Sequence, residues 1–226
     1  MRLAKAIREY CDDMYKRTEL VKGKVTVRRI PFYGSLQGWV ETFLDQAITR
    51  YASRYDLADG WGKVGYLIDN DLEAATMRSA SMTFIKRGRD KKSDPEFDYI
   101  TIPPDLVIEF MNQPYIKEFD YPLPPELDNE NSDNYWPQKL DDYQRFGVGL
   151  LWIVDLTKEV VHQYRQPEWK SITLQGDDVL DTAPVIPGFR LTVNELFDLE
   201  VLEQKARFDW YREPDLEDLE DAPKSL

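Results

Sequence analysis

The sequence predicts an α/β fold, on three observations. Residues 104–111, Pro-Asp-Leu-Val-Ile-Glu-Phe-Met, are a short apolar run that reads as a buried strand. Residues 137–147 read as a helix: Pro137 suits the first position, Leu140, Tyr143 and Phe146 give a buried face, and Gly147 gives a stop. Residues 150–155, Leu-Leu-Trp-Ile-Val-Asp, are a second buried strand. Strand, crossover helix and strand make a βαβ unit, and the rest of the chain reads as its support.

The elements before this unit follow in order. Leu3, Ala6, Ile7, Tyr10, Cys11 and Met14 fall at helical spacing, so residues 2–15 read as a short amphipathic helix. Residues 19–30 alternate around Gly23 and read as a hairpin. Ser35 is a good N-cap for the strongest helix in the chain. Its apolar stripe is Leu36, Trp39, Val40, Phe43, Leu44, Ala47, Ile48 and Tyr51, which predicts a helix packed on the core. Residues 64–68 and 77–85 read as strands, the second placing Ser79, Ser81 and Thr83 on one face. The segment 86–92, Lys-Arg-Gly-Arg-Asp-Lys-Lys, is a basic loop, and Arg87, Arg89, Lys91 and Lys92 are its candidates for facing a phosphate. As a bland alternative, it is a solvated loop.

After the basic loop and the first strand of the unit, residues 115–136 form a long proline-rich acidic loop without periodicity. Beyond Asp155, residues 160–164 and 169–174 read as a hairpin, and 176–181 as a turn leading to 187–191. Thr192-Val-Asn-Glu195 is a capping box that starts a last helix with Leu196, Leu199 and Leu202 on its face. The chain thus divides into an N-terminal helix (1–17), a main domain (18–200) and an acidic tail (201–226).

The bulk composition narrows the function. Of the 226 residues, 42% are hydrophobic, enough for a packed core. The formal net charge of −13 disfavours broad electrostatic binding to nucleic acid, although much of the acid lies in 118–142 and 200–220. No stretch is long and apolar enough to predict a membrane span, and Cys11 is the only cysteine, so a soluble cytoplasmic protein is expected. His162 is the only histidine, which removes a histidine-based triad and a multi-histidine zinc site. Any metal must be held by oxygen, which points to Mg²⁺ or Mn²⁺.

Two charges stand out in the central unit. Alternation puts Leu106, Ile108 and Phe110 on one face of the first strand and Asp105, Val107, Glu109 and Met111 on the other. A carboxylate in an apolar strand costs energy unless paired or metal-bound, so Glu109 is either a functional residue or a strand end reaching water. Lys139 lies four residues before Tyr143 and either snorkels to solvent or points over the sheet toward Glu109. A carboxylate-held Mg²⁺ beside a lysine is a minimal phosphodiester-cleaving arrangement. The two groups are expected within about 6 Å, the reach over which charges perturb each other.

Five motifs in order resemble one family. They are Arg78-Ser-Ala-Ser81-Met-Thr-Phe-Ile, Pro104-Asp-Leu-Val-Ile-Glu109, Lys139-x-x-x-Tyr143-x-x-x-Gly147-Val, Leu151-Trp-Ile-Val-Asp155, and Gly176-Asp-Asp-Val-Leu with Val185-Ile-Pro-Gly-Phe-Arg-Leu and Leu196-Phe. Together, over residues 18–198, the chain resembles the Uma-type putative restriction endonucleases of the PD-(D/E)XK nuclease superfamily. The resemblance implies a restriction-endonuclease-like core, a central mixed sheet flanked by helices, and metal-dependent cleavage of DNA. It makes Glu109 the metal-binding glutamate and Lys139 the lysine displaced from strand to helix, Met111 standing where a strand lysine is usual. Asp155 is read as structural.

The chain also departs from the pattern. Ser81 stands where the family's Arg-x-Pro-Asp motif has a metal-binding aspartate, and Asn112-Gln-Pro114 replaces a Ser-Pro. Asp71, Glu73 or Asp105 is expected to compensate, or else the site is degenerate. Two functions follow. One is a metal-dependent endonuclease using Mg²⁺ or Mn²⁺ on DNA. The other is an inactive nuclease fold serving as a binding or assembly module, its acidic loop or tail meeting a protein partner. A homodimer is expected by analogy with nucleases that cut both strands.

Overall fold

The computed structural model describes residues 16–29, 35–69, 74–89, 100–111 and 135–207. The expected N-terminal helix, Asp71, Glu73, Lys91, Lys92, the loop up to residue 134 and the tail beyond Arg207 lie outside them.

Twelve strands and four helices are described. In chain order they are β1 (Lys16–Val21), β2 (Lys24–Arg29), α1 (Ser35–Arg54), β3 (Ala58–Gly62), β4 (Gly65–Asp69), β5 (Thr76–Ser79) and β6 (Met82–Lys86). Then follow β7 (Leu106–Met111), α2 (Tyr135–Phe146), β8 (Leu150–Asp155), β9 (Val160–Arg165), β10 (Ile172–Gln175), β11 (Val179–Asp181), β12 (Arg190–Thr192), α3 (Val193–Phe197) and α4 (Leu199–Arg207). A six-stranded sheet has the order β10-β9-β8-β7-β6-β3, a four-stranded one the order β2-β1-β5-β4, and β11 pairs with β12. Among the described strands only β7 and β8 run parallel, joined through α2, and every other pair is antiparallel. The mixed sheet expected around the βαβ unit is present.

The period-2 pattern of β7 and β8 decides the layering. Leu106, Ile108, Phe110, Leu150, Trp152 and Val154 are buried in one cluster with Val40, Phe43, Leu44, Ala47, Ile48 and Tyr51 of α1. Leu196, Leu202 and Ala206 belong to the same cluster, so α3 and α4 pack on this side too. Val107, Leu151 and Ile153 face the opposite way and pack with Tyr143 of α2. Each large apolar side chain buried here is worth roughly 1.5–3 kcal/mol, so packing rather than helix propensity holds α1. Leu36 and Trp39, at the head of the expected stripe, are exposed among the described residues; the stripe meets the core only from Val40 onward.

Local signals explain several ends. Lys22 and Gly23 both have positive φ, the pattern of a two-residue hairpin turn. The α2 helix starts at Tyr135, within the expected loop, and Pro137 falls in its first turn, where a missing N–H costs nothing. Gly147 (φ +93) ends it. A Cβ at Gly149 would stand 2.9 Å from the Asp105 carbonyl oxygen, so glycine lets β7 and β8 begin side by side. Thr192 and Glu195 form the expected capping box.

The expected single strand 77–85 is two strands in two sheets, which corrects the sequence reading. β5 pairs with β4, β6 with β3, and the two halves belong to one long ribbon bent between the sheets. At the bend Lys63 N–H donates to the Ser81 carbonyl (3.0 Å) and Ala80 N–H to the Val64 carbonyl (3.1 Å). Strands that switch sheets make such corners. Alternation alone does not show one, because Ser79, Ser81 and Thr83 keep the period of an unbroken strand. No described helix is long and apolar enough to cross a membrane.

Candidate functional site

The corner at Ala80–Ser81 places an acid from each sheet beside the same helix. Glu109 comes from β7 and Glu19 from β1, whose Leu20 lies opposite Met77 of β5. Lys139, Asp142 and Tyr143 of α2, spaced i, i+3 and i+4, share the helix face that meets them.

Lys139 is the hub. Its Nζ is 2.8 Å from Glu109 Oε1 and 3.2 Å from Glu19 Oε1. It also donates to the Ser79 carbonyl (2.8 Å) and the Tyr135 hydroxyl (3.2 Å). The rings of Tyr135, Trp136 and Tyr143 surround the ammonium at 5.6–5.9 Å, in cation–π range. Glu109 is fully used as well: Tyr143 Oη donates to Oε1 (2.6 Å) and Ser81 Oγ to Oε2 (3.0 Å). Glu109 and Lys139 are both 0% exposed. The lysine therefore points over the sheet, within the expected 6 Å of the carboxylate.

Three further charged residues, absent from the sequence reading of the site, complete it. Arg78 donates from Nη1 to Glu19 Oε2 (2.8 Å) and from Nε to Asp142 Oδ2 (2.8 Å). Ser79 N–H donates to Glu19 Oε1 (3.0 Å). Burial works to raise the Glu19 carboxyl, but Lys139 and Arg78 outweigh it and hold the group down at about 2. Burial works against the Arg78 charge and its two carboxylates more than restore it. Burial, and then the Glu109 charge, push the Tyr143 hydroxyl well above its ordinary range, so it stays a proton donor.

Two of these residues carried a signal in the sequence. Asp142 shares a helix face with Lys139 and Tyr143, and Arg78 opens the first of the five motifs, in the middle of a short strand. Glu19 had no comparable signal, because its approach to Glu109 depends on the bend between the sheets.

Asp105 does not join this centre. It lies four residues before Glu109 along the strand, about 13 Å away at strand rise. There it accepts from Lys86 N–H (2.8 Å) and pairs with Arg89. Arg87 is likewise at the far end of β6, paired with Asp56 (2.9 Å) and Asp59 (2.6 Å). Asp155 closes β8 by accepting from Thr157 and Lys158 N–H groups (3.0 and 3.1 Å), the structural role expected of it. His162 contacts Thr173 Oγ1 (3.1 Å) across the β9–β10 pair, two strands over from Glu109 of β7.

The donor set suits a hard divalent cation in kind. Glu109 Oε2 and Ser81 Oγ are oxygens 3.0 Å apart of the kind that such an ion takes, and Mg²⁺ binds through one or two carboxylates while keeping water and substrate oxygens. In number the set is sparse. Among the described residues no group of three or more acids, histidines or cysteines could hold a metal.

Comparison with known proteins agrees with this architecture. No curated protein matches the chain. A solved structure described as a putative nuclease belonging to DUF820, from Anabaena variabilis ATCC 29413, is similar in fold, with a TM-score of 0.59 and 15% identity over 80% of this chain and 90% of that one. A family model described as Uma2, putative restriction endonuclease, matches residues 5–194. The chain belongs to the Uma2 family of putative restriction endonucleases.

Proposed function

We propose that the protein is a DNA endonuclease that hydrolyses phosphodiester bonds with the help of Mg²⁺ or Mn²⁺. The observation that supports this reading is the convergence of Glu109 and Lys139, 2.8 Å apart, at a sheet corner in a nuclease family. Glu109 would hold the ion, with Ser81 Oγ beside it. When bound, the ion would polarise a phosphate and lower the proton affinity of a water. The Lys139 ammonium would stabilise charge developing on the phosphate oxygens. Tyr143, as a hydrogen-bond donor, fixes the Glu109 carboxylate. With one first-line carboxylate, the metal affinity is expected to be weaker than that of a site with two or three.

Calorimetric titration with Mn²⁺ tests the reading. Binding heat is expected in the native protein and its loss in Glu109→Gln; no heat in the native protein overturns it.

A second reading is favoured by Ser81 and by the closure of Glu109 and Lys139 on internal partners. In it the fold is a catalytically inactive binding or assembly module. If the native protein leaves DNA intact and Ser81→Asp cleaves it, the second reading stands.

A further inference from the structure

We propose that Glu19, Arg78 and Asp142 are positioning residues that fix the Lys139 ammonium relative to Glu109. The inference rests on the proposed catalytic role of Glu109 and Lys139, and it concerns how that pair is aimed. The four residues form a closed ring. Asp142 receives Arg78 Nε (2.8 Å), Arg78 Nη1 reaches Glu19 (2.8 Å), and Glu19 Oε1 meets Lys139 Nζ (3.2 Å). Helix α2 closes it, because Lys139 and Asp142 are one turn apart.

The ring ties β1 and β5, neighbouring strands of the four-stranded sheet, to the crossover helix. Every member is at most 4% exposed, so water cannot replace a lost partner cheaply. Lys139 has three N–H protons for Glu109, Glu19, the Ser79 carbonyl and the Tyr135 hydroxyl. With more acceptors than protons, its position is set by the balance among them. Glu19 carries charge in that balance, and Arg78 and Asp142 hold Glu19 in place.

The test reads Lys139 directly. In lysine-¹⁵N-labelled full-length protein, a buried ion-paired ammonium gives a proton-exchange-protected resonance, assigned by its loss in Lys139→Met. The proposal expects that resonance in the native protein, and expects it to shift or broaden in Glu19→Gln and Asp142→Asn. Mn²⁺-dependent cleavage is expected to fall about 10- to 100-fold in kcat, the usual cost of losing an outer partner of a catalytic group. KM for DNA is expected to change little, because none of the three residues is placed against substrate. Arg78→Lys is expected to recover part of the rate lost in Arg78→Gln. If Glu19→Gln fails to fold, Asp142→Asn decides, since it keeps the Glu19 and Lys139 charges. An absent native resonance, or one unchanged in the folded variants, overturns the proposal. A changed resonance with no cleavage by the native protein upholds the positioning role and sinks the nuclease reading alone.

Discussion

Glu109 sits at one end of the β6–β7 strand pair and Asp105 at the other, and each meets a cation. Glu109 and Lys139 are both 0% exposed, and their remaining polar atoms contact Ser81, Tyr143, Glu19 and Tyr135. At the other end, the Arg89 side chain is 42% exposed and that of Asp105 15%, and Arg87 is 40% exposed between two further acids. Both ends pair a carboxylate with a side-chain cation. Burial separates their consequences: a charge in water is replaceable by solvent, whereas a buried charge that loses its partner has nothing to turn to.

The largest effect is therefore expected from Glu109→Ala. It leaves the Lys139 ammonium with one carboxylate fewer, and a loss of roughly 3–5 kcal/mol should appear in denaturant unfolding. A loss under about 1 kcal/mol would show that water reaches this end.

Next comes the acid dependence carried by Glu19. Its carboxyl, ordinarily near 4.5, is held at about 2 in the folded protein. The folded state therefore binds the proton more weakly than the unfolded chain does. The stabilisation is fully present above about pH 5 and is lost as pH falls toward 2, and it amounts to about 3 kcal/mol. Glu19→Gln should flatten the acid limb of a stability-versus-pH profile by about that amount. An unchanged limb would mean that the Lys139 and Arg78 contacts do not govern Glu19.

The far end has its own sensitive position, and the backbone rather than charge makes it so. Gly149→Ala would drive a Cβ to 2.9 Å from the Asp105 carbonyl oxygen. A cost of about 1–3 kcal/mol in thermal unfolding is expected, in the range of other overpacked sites. The smallest effect belongs to Arg87→Ala, whose exposed pairs should be worth less than about 1 kcal/mol and less still at high salt.

How far the sequence could be read follows the same division. The βαβ unit was legible because two apolar runs, a proline, a glycine and a helical face all point one way, and α2 with its Lys139–Tyr143 face lies where they put it. Glu109 was legible because a charge in an apolar strand is costly. The corner was not, because an unbroken strand and a strand bent at Ala80–Ser81 share one period of alternation. With the corner hidden, Glu19 had no route to the site, and Asp105 looked nearer because it is nearer along the chain. Arg87 and Arg89 were visible as a basic loop, but their acids, Asp56, Asp59 and Asp105, come from other elements. Pairings of that kind depend on tertiary register, which composition does not carry.

Nicking of supercoiled plasmid in Mn²⁺ tests the central claim most directly, with the native protein and Glu109→Gln compared at equal folded concentration. The account predicts that the native protein converts supercoiled to open-circular DNA, that chelation stops it, and that Glu109→Gln falls to background. Equal conversion by both proteins, or none by the native protein, would contradict it.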